Sequence, residues 1–214
     1  MGRPKKSESG SIPTRERIIE TAIQLFAQRS YDAVSVRDIT KALNLNEASL
    51  YNHFKNKEDL LAAILQRLND RLINPGFSTL PAEMFQSEGP FDLTEFLITG
   101  AKHFFSKADN DILLTWRILM MNQYRYESAY FSVKTHILNT PAGFFTDILK
   151  KLHDAGKIRK DTDCESIGRI IAAIFFDYSF RTNLEIAWEN DIDEDKDFEK
   201  LKNDFQFIAA GIQT

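Results

Sequence analysis

The sequence predicts an all-α protein, and three observations carry that expectation. Apolar residues recur three and four positions apart along most of the chain, as in Ile18, Ala22, Leu25 and Phe26, or Leu60, Ile64, Leu65 and Leu68. Cap signals stand before several of these runs: Ser35 with Asp38, Asp92 with Glu95, and Thr162 with Glu165. No stretch reads convincingly as a strand, and there is no internal repeat or low-complexity tract.

Taken in order, a first helix is expected from the cap Thr14 to about Arg29, with Ile18, Ile19, Ala22, Ile23, Leu25 and Phe26 as a broad apolar face. Ser35 and Asp38 open a second helix at Val36, with Ile39 and Leu43 on its inner side. Asn44-Leu45-Asn46 then breaks the chain: Asn44 tolerates the left-handed conformation, Leu45 can point inward, and Asn46 is a good N-cap. The third helix holds Leu50 and Phe54 on its buried side. A fourth, residues 57–73, directs Leu60, Leu61, Ile64, Leu65 and Leu68 inward and is stopped by Asn74-Pro75-Gly76.

Residues 75–91, with three prolines and two glycines, read as a long loop. Helices follow from Asp92 to about Lys107, near 110–124 and near 127–138. Another opens at Thr140-Pro141, cap and first-turn proline, and ends at Gly156. Thr162 starts a strongly apolar helix to about Trp188, and an acidic loop at 189–197 leads to a last amphipathic helix carrying Phe198, Leu201, Phe205 and Ile208.

A chain of 214 residues can bury a proper core in one or two domains. A lone cysteine, Cys164, rules out an internal disulfide and suits a reducing cytoplasm, where the protein is expected to reside. No apolar stretch approaches the roughly 20 residues of a membrane span, so no membrane association is expected. The basic start, MGRPKK, lacks the apolar region of a secretory signal. The net charge of −4 is unevenly spread: residues 1–73 hold 12 Lys/Arg against 9 Asp/Glu, residues 74–214 hold 15 against 22. The mildly basic part is also the part with two short helices around a tight turn.

That helix-turn-helix can place its second helix in the major groove of double-stranded DNA, where the N-terminal end meets base edges. Glu47, Ala48 and Ser49 occupy this first turn after Asn46. Ala48 suits a thymine methyl, Asn52 suits adenine, and Glu47 suits cytosine N4, although Glu47 also complements the helix dipole. Tyr51, His53, Lys55 and Lys57 suit the phosphate backbone, which sets register. With Ser35 and Arg37 at the start of the preceding helix, the expected DNA-binding set is Ser35, Arg37, Asn46, Glu47, Ala48, Ser49, Tyr51, Asn52, His53 and Lys57. The arm Gly2-Arg3-Pro4-Lys5-Lys6 fits either a minor-groove contact or a solubilising tail.

The ordered series Thr14, Ile18, Leu25-Phe26, Tyr31, Val34-Ser35, Ile39 and then Leu50-Tyr51-Asn52-His53-Phe54-Lys55-Asn56-Lys57-Glu58-Asp59-Leu60 resembles the DNA-binding domain of the tetracycline-repressor (TetR) family of bacterial transcription regulators. The likeness covers about 50 residues at many fixed spacings. It departs at the turn, where the family usually has Ala-Gly-Val-Ser and this chain has Leu43-Asn44-Leu45-Asn46.

The resemblance implies a helix-turn-helix domain with a basic arm over 1–56, and an effector-binding and dimerisation domain over 57–214, with 57–73 as the connecting helix. It also implies a homodimer through residues 163–188 and 197–211, binding a palindromic operator, and a small apolar or aromatic effector held among the middle helices. Phe77, His103, Phe104, Trp116, Arg117, Met120, Tyr124 and Phe144 are the candidates to line that site, although aromatics at helical spacing also serve as plain core.

An enzyme is not expected. His53, His103, His136 and His153 show no metal-ligand spacing, Cys164 has no protease context, and there is no Gly-rich phosphate loop; no metal or cofactor is implied. The remaining alternative is a helical interaction or ligand-binding protein that has lost operator binding.

Overall fold

The computed structural model describes residues 12–78, 91–188 and 194–213, without the side chains of residues 187–188 and 194–197. Regular structure among these residues is helical throughout. The expected arm at residues 2–6, most of the loop between 75 and 91, and the start of the acidic loop lie outside them.

Helix α1 (Thr14–Arg29) buries Ile18, Ile19, Ala22, Ile23 and Phe26. Its N-cap is Pro13, not Thr14, and the Pro13 carbonyl accepts from Arg17 N at 3.1 Å. Proline suits this edge because its missing N–H has no role there. α2 (Val36–Ala42) has the full capping box: the Ser35 hydroxyl accepts from Asp38 N, and Asp38 accepts from Ser35 N at 2.8 Å. Asn44 takes the left-handed conformation, φ 54°, and so turns the chain toward α3 (Glu47–Tyr51). α3 is shorter than expected. It ends at the C-cap Asn52, leaving His53 and Phe54 in the following turn.

α4 (Lys57–Leu68) is capped by Asn56, whose side chain accepts from Asp59 N, and buries Leu60, Leu61, Ile64, Leu65 and Leu68. It does not stop at Asn74-Pro75-Gly76. A widened π turn (Asn69–Ile73) carries it on into α5 (Asn74–Gly76). A second π turn (Val133–Asn139) likewise joins α8 (Glu127–Ser132) to α9 (Thr140–Asp154), so Thr140 is not an N-cap but a residue inside a continuous helix. Both turns have the same cause. The last i→i−5 bonds run from Asn74 N to Asn69 O and from Thr140 N to Thr135 O, immediately before Pro75 and Pro141. Proline has no N–H and crowds the carbonyl four residues back; widening the turn moves that carbonyl aside.

The remaining elements are α6 (Leu93–Phe105), α7 (Asn110–Asn122), α10 (Cys164–Trp188) and α11 (Glu194–Ile212). Asp92 and Asp109 cap α6 and α7. For α10 the cap is Asp163 rather than Thr162: its carboxylate accepts from Glu165 N at 3.1 Å and Ser166 N at 3.0 Å. Gly156, at φ 69°, ends α9 as expected, and Arg159 N then donates to Ile212 O at 2.8 Å, holding the end of α11.

One continuous apolar cluster runs from Ile18 through the α4 residues to Phe175, Phe205 and Ile212. Helices α1 to α4 therefore share a core with the larger body. α1 packs on α7, α4 on α7 and α8, and α10 on α9. None of the helices among the described residues is long and apolar enough to cross a membrane.

Candidate nucleic-acid interface and effector cavity

Leu50 and Phe54 are buried and α3 packs on α2, which turns the rest of its surface outward. Asn46, Glu47, Ala48, Tyr51, Asn52 and His53 are exposed, Tyr51 by 51%, and Ser35, Arg37, Lys41 and Lys55 are exposed beside them. The cap geometry uses some of these groups. Asn46 Oδ1 accepts from both Ser49 N and the Ser49 hydroxyl at 2.8 Å, and the Ser35 hydroxyl donates to Asp38 at 2.7 Å. Asn46, Ser49 and Ser35 thus hold the helices in place, while Arg37, Glu47, Ala48, Tyr51, Asn52 and His53 are uncommitted at their tips. Lys41, at the end of α2, was absent from the expected set because no cap or periodicity marks it.

Lys57, expected as a phosphate contact, is largely engaged by the protein itself. Its ammonium donates to the carbonyls of Tyr31 (2.8 Å) and Val34 (2.9 Å) and lies 4.1 Å from the centre of the Tyr31 ring. Two of its three donors are spent on the protein. Burial lowers its pKa from the ordinary value, and Asp32 opposes that shift.

Tyr31 stands at a junction that sequence spacing could not reveal. Its ring meets Phe26 edge-on at 5.0 Å and Tyr126 at 4.6 Å. Beside it, the Asp32 carboxylate accepts from the Tyr126 hydroxyl and from Arg125. The bond from Tyr126, with the attraction of Arg125 and Lys57, holds the Asp32 pKa below the usual carboxylate range. This latch joins the α1–α2 loop to the α7–α8 loop. A second set of ion pairs spans the same boundary: Arg67 of α4 meets Glu16 (2.9 Å) and Glu20 (3.7 Å) of α1 and Asp111 (3.7 Å) of α7, while Arg71 pairs with Asp109.

The middle helices enclose two adjoining chambers. The inner one, about 60 Å³, lies between α7, α10 and the two π turns, with Ile112, Trp116, His136, Phe176 and Asn183 in its wall. The outer one, about 710 Å³, is bounded by Phe91, Asp92, Glu95, His103, Lys107, Phe144 and Phe145. Leu72, Phe77, Phe104 and Phe175 belong to both and form the partition. Phe77 meets Phe104, Phe144, Phe145 and Phe175 at centroid distances of 5.2 to 6.0 Å. Phe104 also lies so close to Gly76 that a Cβ there would come within 2.3 Å of its ring.

Of the expected lining residues, Phe77, Phe104, Trp116, His103 and Phe144 therefore border a chamber. Arg117, Met120 and Tyr124 border neither, and Tyr124 is 93% exposed. His136, Phe175, Phe176 and Asn183 were missed, because only the folded bundle brings α8–α10 against α7. Burial lowers the His136 pKa, with a smaller opposing pull from Asp70. No group of three or more His, Cys, Asp or Glu among the described residues could hold a metal ion. On α10 and α11, Ile170, Phe180, Leu184 and Phe207 are exposed by 43% to 84%.

Residues 18–64 match the family described as bacterial regulatory proteins, tetR family. The chain is 23% identical over 175 residues (80% of its length, 85% of the relative's) to the uncharacterized HTH-type transcriptional regulator YvkB of Bacillus subtilis. Over 46 residues, 22% of this chain and 25% of the relative, it is 44% identical to IcaR, the negative transcriptional regulator of the biofilm operon icaADBC of Staphylococcus epidermidis. Its fold is similar to that of a complex of SmeT with triclosan, with a TM-score of 0.67, 18% identity, and coverage of 94% of this chain and 92% of that one. SmeT is the repressor of the Stenotrophomonas maltophilia multidrug efflux pump SmeDEF.

Proposed function

Because the chain is a TetR-family transcriptional regulator, we propose that it is a ligand-responsive repressor, working as a homodimer on a palindromic operator in the cytoplasm, with no catalytic activity of its own. The observation that carries this reading is the exposed, uncommitted set Glu47, Ala48, Tyr51, Asn52 and His53 on a short helix whose start is fixed by Asn46 and whose inner side is fixed by Leu50 and Phe54. Residues at that position meet base edges, while Arg37, Lys41 and Lys55 are suited to flanking phosphates. Residues 1–56 form the DNA-binding domain in this reading, and residues 57–214 the effector-binding and dimerisation domain.

The dimer is assigned to residues 163–188 and 197–211, where apolar side chains stand exposed on both helices. Burying them against a symmetry mate gives an isologous four-helix interface. The effector is assigned to the aromatic chambers. A repressor of similar fold is known with triclosan bound, which favours a small apolar or aromatic molecule here. An effector that binds better when the two DNA-binding heads are wrongly spaced shifts the dimer away from DNA, and α4 carries the displacement.

Selection of binding sites from a random DNA pool by the purified protein tests the proposal. Enrichment of a palindrome is the expected result. A folded protein that enriches nothing at low salt would favour the alternative, a helical ligand-binding protein without an operator.

A further inference from the structure

The inner chamber is built for a narrower class of molecule than "apolar or aromatic". Among its described lining residues there is no Lys, Arg, Asp or Glu. The titratable side chain in its wall, His136, has its pKa lowered by burial, against a smaller opposing pull from Asp70, which favours the neutral imidazole. An ion placed here would lose its hydration without meeting an opposite charge. Charged groups belong instead to the outer chamber, which has Asp92, Glu95 and Lys107 in its wall.

One lining residue of the inner chamber carries an unanswered polar atom. Trp116 is 8% exposed, and its Nε1–H is buried with no hydrogen-bond partner. An indole N–H can only donate, so nothing but an acceptor satisfies it. Buried donors are rarely left unpaired, and one carried by a residue that lines a cavity can be met by a ligand that enters there with a small turn of the ring. The neighbouring Ser179 hydroxyl is already spent as a donor on Phe175 O at 2.7 Å.

We infer that the inner chamber takes an uncharged effector, chiefly aromatic or aliphatic, that carries a hydrogen-bond acceptor received by the Trp116 indole N–H. This rests on the reading of the chambers as the effector site. The chemical class is that of small aryl ketones, esters, ethers and phenols, rather than carboxylates or amines. A molecule larger than the inner chamber reaches it by moving the partition of Phe77, Phe104 and Phe175. Phe77 lies directly after α5, at the end of the continuous helix that begins at Lys57, so occupancy is transmitted to the rod that carries the DNA-binding helices.

The test uses the full chain and four single-ring probes of similar size: ethylbenzene, acetophenone, benzoate and benzylammonium. Each competes against the neutral fluorescent probe N-phenyl-1-naphthylamine. Acetophenone is expected to bind about tenfold more tightly than ethylbenzene, the gain of one well-made buried hydrogen bond, and both ions more weakly than acetophenone. In Trp116→Phe the advantage of acetophenone should vanish, while in Asn183→Leu, whose amide lies in the same wall, it should persist. Equal binding of acetophenone and ethylbenzene by the wild-type protein would overturn the inference. So would an advantage that survives in a folded Trp116→Phe, or tighter binding of either ion. The wild-type series decides the ligand class even if the tryptophan variant does not fold. Failure of the fluorescent probe and all four compounds to bind would instead overturn the reading of the cavity itself.

Discussion

Tyr51 and Lys57 are six positions apart, both polar-tipped and both in the segment that resembles a DNA-binding domain, yet the structure uses them differently. Tyr51 is half exposed and its hydroxyl is free for a base or phosphate. Replacement by Ala is expected to weaken operator binding by about 1–3 kcal/mol. Fluorescence anisotropy on a selected site would measure it, and an unchanged affinity in a folded variant would remove Tyr51 from the DNA surface. Lys57 instead ties the start of α4 to the carbonyls of the α1–α2 loop. Lys57→Met keeps the aliphatic stem and loses both bonds, so the melting temperature should fall. The slope of log affinity against log salt should stay the same, since no phosphate contact is lost. A shallower slope would restore Lys57 to the DNA surface. The caps at Ser35, Asn46 and Asp92 were legible in sequence because each depends on residues three apart. The Asp32–Arg125 pair was not, because 93 positions separate its members and no local pattern announces it.

Between elements, the latch of Asp32 with Arg125 and Tyr126 governs how the α1–α2 loop sits on the α7–α8 loop. Asp32→Asn should leave global stability nearly unchanged, since Asp32 and Arg125 are exposed, but should speed amide exchange locally around residues 30–34 and 122–126. Acid should do the same. The folded-state pKa of Asp32 lies below its ordinary value, so the latch's contribution is complete above the unfolded pKa of about 4. It is lost as pH falls through the folded value. Exchange that is as slow in Asp32→Asn as in the wild-type protein would show that the latch does not restrain the loops. Element boundaries show where sequence pattern reaches its limit. Thr162 and Thr140 both look like caps, but Asp163 wins the first position by accepting two amides, and a π turn carries the helix through the second. Fold class and helix content were readable from apolar periodicity. Competition between neighbouring cap residues was not, because it is decided by the direction of the incoming chain.

For the whole molecule, the exposed apolar side chains of α10 and α11 call for a partner. Leu184, 51% exposed, and Phe207, 84% exposed, lie on the surface assigned to the dimer. Leu184→Glu combined with Phe207→Glu is expected to give a monomer by sedimentation at micromolar concentration, with α-helical content retained. Operator affinity should then fall by several orders of magnitude, because each monomer holds only one half-site. A double variant that sediments as a dimer would place the interface elsewhere. The uneven charge noted at the outset fits this arrangement: a head of modest positive charge gains by being doubled.

The π turns before Pro75 and Pro141 also bear on how such a protein can be rebuilt. Each successive helical residue rotates by about 100°, so one extra residue in the turn at Asn69–Ile73 sets the angular phase between the DNA-reading heads and the body. A head borrowed from a relative and spliced within Lys57–Leu68 keeps that phase. A splice beyond Phe77, onto a rod lacking the widened turn, would rotate the helix by roughly 100° against the α1–α7 packing and the Arg67 and Asp32 contacts that seat the head on the body. An exchange of DNA specificity at 57–68 therefore also has to keep the α1 face that packs on α7 and the acidic partners of Arg67.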